Sequence, residues 1–148
     1  MKLRSSYALV IVTALLALMV IGCGSGGAVD DSASPGSGSV KITPAKTTIL
    51  EAIAKGQILD GGMTPVRGVV AKSEDAGSLF YVAMEFSSAG ADNAIGVWAT
   101  SDLNGQTQIW AVDDVARNST QWPRTEASSQ RQYTMSSAGA QEAKDALK

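Results

Sequence analysis

Phe80-Tyr81-Val82-Ala83-Met84-Glu85-Phe86, with Leu79 ahead of it, is the stretch that decides the fold. In an extended chain successive side chains point to opposite faces. Phe80, Val82, Met84 and Phe86 therefore share one side, and Leu79, Tyr81, Ala83 and Glu85 the other. Four large apolar side chains in strict alternation would make a severe exposed patch, so the first set reads as core. Glu85 interrupts the apolar run and reads as a solvent-facing strand residue. As a glycosidase carboxylate it would need a partner roughly 5–10 Å away, and nothing in the sequence nominates one.

The period of two extends on both sides of this strand. Residues 66–71 form a strand of small and β-branched residues, preceded by a loop at Gly61-Gly62 and Pro65. After Ser87-Ser88-Ala89-Gly90, residues 94–100 place Ile95, Val97 and Ala99 opposite Gly96, Trp98 and Thr100. Asp102-Leu103-Asn104-Gly105 reads as a hairpin connection, Asn-Gly being a strong short-range turn signal. The chain returns as a strand over 107–112, which would let Trp98 and Trp110 pair across the hairpin. A weaker strand is expected at 132–135.

Helical spacing appears at three places. Thr48-Ile49-Leu50-Glu51 matches a capping box, and Ile49, Leu50, Ile53 and Ala54 share a face before Gly56. Asp113 is placed to cap a short helix carrying Val115 and Ala116, with Trp122-Pro123 as its stop. Ser136 or Ser137 is expected to cap a last helix with Ala140, Ala143 and Leu147 as its stripe. Lys144 and Lys148 suit the C-terminal end of its dipole. The fold class that follows is α+β: an antiparallel β-meander of about four strands with short helices packed on one face.

Residues 40–148 are enough chain to bury roughly two-thirds of the surface exposed on unfolding, without metal or disulfide staples. What precedes them has a different character. Lys2 and Arg4 flank the start, and residues 7–21 are apolar except for Thr13. That run is shorter than the roughly 20 residues of a membrane-spanning helix; it has the length of a signal-peptide core. Val20-Ile21-Gly22-Cys23 resembles a bacterial lipobox. The resemblance implies a signal peptide over 1–22, cleavage between Gly22 and Cys23, a diacylglyceryl thioether on Cys23 and acylation of the new amine. Two or three acyl chains would give firm attachment, where one gives only reversible binding. Gly24 follows in place of the Asp that commonly signals inner-membrane retention in diderm lipoproteins. The implied location is the cell membrane or outer membrane, on the extracytoplasmic side.

Residues 24–39 are 13 parts Gly, Ser, Ala or Pro in 16, so with Cys23 they form a lipidated, flexible linker. As a coil the linker would hold the domain ~20–25 Å from the bilayer. From Cys23 onward the chain carries 10 basic and 14 acidic residues. No basic stripe is present, which speaks against nucleic acid and against electrostatic docking to anionic lipid.

The chemistry-bearing residues are few. His is absent, which removes Ser-His-Asp and Cys-His catalysis and most zinc sites. The single Cys stands at the lipobox. Asp102-Leu103-Asn104-Gly105 lacks the further oxygen ligands of a calcium loop and is better read as a turn. Asp113-Asp114 suggests an acid–base pair, but neighbouring residues rarely converge and Asp113 has a ready role as a cap. Trp98, Trp110 and Trp122 would stack on a sugar or peptide if exposed and belong to the core if buried. Asn118-Ser119-Thr120 matches a glycosylation sequon, which behind a bacterial lipobox reads as chance. No catalytic residue, metal ligand or cofactor site is therefore assigned.

Phe80-Tyr81-Val82-Ala83-Met84-Glu85-Phe86, Gly96-Val97-Trp98-Ala99-Thr100, Ile109-Trp110-Ala111-Val112-Asp113 and Gln141-Glu142-Ala143 together resemble small lipoproteins of actinobacterial type. The likeness covers about the last 70 residues and its motifs are unspecific. It implies a cell-envelope location and no mechanism. The sequence thus leads to a lipid-anchored, non-enzymatic binding or interaction module with an envelope protein as partner. The alternatives are an envelope hydrolase or carbohydrate-binding enzyme using Glu85 or Asp113/Asp114, and an inhibitor of a secreted hydrolase presenting the loop 87–93.

Overall fold

The computed structural model describes residues 40–73, 77–89, 91–125 and 132–148, with the backbone alone at 91 and 92. The signal segment, the cleavage site at Gly22 and Cys23, and the linker lie outside the described residues. β1 (Ile42–Pro44), α1 (Thr47–Ala54), β2 (Met63–Lys72), β3 (Phe80–Ser88), β4 (Ala91–Thr100), β5 (Ile109–Ala111), α2 (Asp114–Ser119) and α3 (Ala140–Asp145) follow in order. The strands make one sheet in sequence order, each pair antiparallel. The expected α+β meander is therefore present.

Two details differ from expectation. The sheet has five strands, because the chain at Thr43-Pro44 pairs with Val70 and Val69 and adds an edge strand. Pro has no N–H to give a ladder, so it suits this outermost position. The second difference concerns the helices, which cover both faces. Val82, Met84, Phe86 and Trp98 meet Ile49, Leu50 and Ile53 of α1 on one side. Tyr81, Ala83, Val97 and Ala99 meet Ala140, Ala143 and Leu147 on the other. β3 is the middle strand, and Tyr81 to Phe86 are all buried.

The α1 face is filled by volume. Trp98 is fully buried, edge-on to Phe86 at 6.3 Å between ring centroids. Its indole N–H donates to Thr120 Oγ1 at 3.1 Å, so burying the ring leaves no polar atom unpaired. Gly96, two residues earlier on the same face, makes room for it: a Cβ there would lie 2.4 Å from the indole. Trp110 aligns with Ala99, whereas Trp98 aligns with Ala111. One position of register puts the two tryptophans on opposite faces, so they do not pair across the hairpin.

Helix ends follow packing more than local caps. α1 begins at Thr47 after Lys46, and no side chain caps it. Thr48 is inside the helix and exposed, so the capping box expected at Thr48 and Glu51 does not form. Asp113 caps α2 as expected, its Oδ1 accepting the Ala116 N–H at 2.9 Å. α2 ends at Ser119, ahead of Pro123. The chain beyond it zips onto the end of α1: Ile58 N–H donates to Ser119 O, Gln121 N–H to Gly56 O, and the Trp122 indole to Ile53 O. α3 is preceded by Gly139, whose N–H donates to Glu142 at 2.9 Å. Ser136 and Ser137 bond Thr134 instead of capping the helix.

The strand expected at 132–135 is absent. The outer edge of β5 is already occupied, since Ala111 N–H donates to Pro123 O at 2.8 Å. Tyr133 and Met135 pack singly against the α3-side core. Among the described residues no helix is long and apolar enough to cross a membrane.

Candidate functional site

Beside α2 and the end of β5, the chain encloses an open concavity of about 720 Å³. It is lined by Val112, Asp113, Asp114 and Arg117 on one wall, and by Arg124, Thr125 and residues 132–135 on the other. Described contacts hold the second wall. Tyr133 N–H donates to Thr125 Oγ1 at 3.0 Å, and the Tyr133 ring stands edge-on to Trp110 at 5.0 Å.

Asp113 is a buried carboxylate with three separate partners. Oδ1 accepts from the Val97 and Ala116 N–H groups at 3.2 and 2.9 Å, and Oδ2 accepts from Lys144 Nζ at 2.6 Å. Three elements, β4, α2 and α3, are tied through one buried side chain. Lys144 therefore does more than serve the dipole of its own helix. Its partner is 31 residues away, a separation that no local sequence pattern reveals.

Asp114 points elsewhere. It is exposed and pairs with Arg117, whose second nitrogen donates to Val112 O at 3.2 Å. The hydrogen bond from Arg117, with its charge, holds the Asp114 carboxyl below its ordinary value of 3.8. A carboxylate so held is a poor general acid near neutral pH. Asp113 and Asp114 thus line one concavity but are committed to different cations.

Glu85 is not solvent-facing. It is buried against Arg67, its direct register partner on β2, and Arg67 also donates to Leu147 O at 2.7 Å beyond α3. The alternation placed Glu85 on the correct face. That face is covered by α3, which the alternation alone does not reveal.

The remaining sequence candidates resolve individually. Asp102 accepts from the Gln106 N–H and the Asn104 side chain, and Gly105 sits at φ 72°, so the segment is a turn. The backbone donors hold the Asp102 carboxyl below its ordinary value. Thr120 of the sequon is buried, with its hydroxyl donating to Ala116 O and accepting from Trp98. The loop imagined at 87–93 is mainly strand: Ser87 and Ser88 belong to β3 and β4 opens at Ala91. Trp98 is core, Trp122 is half-buried on α1, and Trp110 is half-buried behind Tyr133. Among the described residues no group of three or more His, Cys, Asp or Glu side chains converges as a metal site would require.

Comparison of the chain with protein-family models, with curated proteins and with solved structures finds no match. Arg117, Arg124, Thr125 and Tyr133, which no sequence pattern nominated, are brought together only by the fold.

Proposed function

We propose that the chain is a lipid-anchored cell-envelope protein whose α+β domain acts as a non-enzymatic binding or interaction module for another envelope component, most simply a protein. The observation that carries the non-enzymatic part is the commitment of its carboxylates. Glu85 is taken by Arg67, and Asp113 by two backbone donors and Lys144. Each would have to give up these partners to act on a substrate. The anchor rests on the sequence at Val20-Ile21-Gly22-Cys23 and on the Gly/Ser-rich linker behind it.

One observation favours the competing hydrolase reading: Asp113 and Asp114 both line the concavity beside α2. The two readings separate on variants. An enzyme using Asp114 loses turnover in Asp114→Asn with little change in stability, because the side chain is exposed. For a binding module, wild type and variant are alike inactive across glycoside, ester and peptide substrates. The anchor is tested by intact mass of protein from host membranes, with Cys23→Ala alongside. Loss of residues 1–22 and a lipid-sized gain in the wild type alone is the expected result. An uncleaved, unmodified wild-type chain refutes the anchor.

A further inference from the structure

We propose that the concavity beside α2 is the domain's binding site, and that it takes a carboxylate carried next to an apolar or aromatic group, as at the C-terminus of a peptide. The proposal rests on the reading of the domain as a binding module and names what that module recognises. The charges decide the sign of the ligand. Asp113 is neutralised by Lys144 and Asp114 by Arg117. Arg124 remains; it is exposed and makes no ion pair with a described residue. One negative charge completes the set, and a planar carboxylate matches the guanidinium fork.

The groups beside Arg124 supply the rest. Thr125 Oγ1 already accepts the Tyr133 N–H, which leaves the hydroxyl proton to donate to a ligand oxygen. Val112, Tyr133 and Met135 line the concavity as its apolar part. Tyr133 is steadied by Trp110, and the chain leading to Arg124 is fixed by the bond from Ala111 to Pro123. A site held this way before binding loses little entropy when a ligand arrives.

The test uses the full chain in detergent micelles with N-acetylphenylalanine as probe and its uncharged amide as control. The readout is the Trp110 indole N–H resonance, assigned with Trp110→Phe. The expected result is a saturable shift with the carboxylate, weakened about fivefold or more in Arg124→Gln and unchanged in Lys72→Gln, an exposed cation on β2. Equal binding of acid and amide overturns the proposal, as does an unaltered affinity in Arg124→Gln or the absence of any saturable shift. Failure here leaves the binding-module reading to its own test, the absence of turnover, so the two can fail separately.

Discussion

The two faces of the sheet are built on different physics. On the α1 face large side chains fill the space: Trp98, Phe86, Met84, Ile49, Leu50 and Ile53 interlock, with Gly96 left bare beneath the indole. On the α3 face small residues make much of the contact: Ala71, Ala83 and Ala99 meet Ala140 and Ala143, with Tyr81, Val97 and Leu147 among them. Alanine buries little area, so each contact contributes little hydrophobic stabilisation. The helix is held at its margins as well, by Lys144 on Asp113 and by Arg67, which bridges Glu85 and Leu147 O. One face is secured by volume and the other by close approach plus ion pairs. The concavity opens beside the second.

The sharpest break in this comparison is at Trp98. Trp98→Ala removes the largest buried side chain and leaves a cavity on the α1 face, so we expect a loss of about 4 kcal/mol. For a domain of this size that lowers Tm by roughly 15–30 °C, read by near-ultraviolet circular dichroism. Trp98→Phe keeps most of the volume but drops the bond to Thr120 Oγ1, and should cost less than half as much. If the two variants are equally destabilised, volume is not what secures that face.

Next is Asp113→Ala, with an expected cost of about 3 kcal/mol. It removes a helix cap, deprives the buried Val97 N–H of its acceptor and leaves the half-buried Lys144 without its counter-charge. The distinguishing feature is where the loss appears. Native-state hydrogen exchange should accelerate over α3 and α2 before α1 responds, because Asp113 joins the first two to β4. Equal acceleration over α3 and α1, which lie on opposite faces, would mean that the faces do not loosen independently.

How far this comparison was legible in the sequence depends on range. Alternation over 79–86 and the Asn-Gly turn gave the meander, because strand faces and tight turns are set by residues close along the chain. Asp113 as a cap was legible for the same reason. Covering elements were not: Glu85 looked solvent-facing because only α3, some 55 residues later, closes that side. The pairing of Trp98 with Trp110 failed on a single step of register, which a hairpin of uncertain loop length does not fix. The concavity is a product of tertiary placement alone, since 112–117, 124–125 and 132–135 carry no shared pattern.

Glu85→Gln sharpens the comparison at its weaker margin. The carboxylate is buried, but Arg67 is about half exposed, so solvent screens much of their attraction. We expect about 1 kcal/mol, and Arg67→Gln should cost at least as much, since it leaves the buried Glu85 unpaired and also removes the bond to Leu147 O. A double-mutant cycle measures the coupling between them. Coupling near zero would remove this pair from the account of how α3 is held.

The smallest effect concerns pH, and it also tests whether the exposed carboxylates matter to either face. Asp102, Asp114 and Asp145 all sit below their ordinary value of 3.8 in the folded protein, held first by the Gln106 N–H, by Arg117 and by Lys148 respectively. A depressed folded value means that the unfolded chain binds protons more readily. The stabilisation is therefore fully present above the unfolded value and is lost as pH falls through the folded one. All three groups are open to solvent, so each contribution is small and fades further with salt. Asp114→Asn should leave stability at neutral pH only slightly reduced and should coincide with wild type at the acid limit. The gap between the two curves should close as pH drops below 4. A gap that persists into acid would mean that Asp114 supports α2 by hydrogen-bond geometry rather than by charge, and would place the Arg117 wall of the concavity among the rigid parts of the fold.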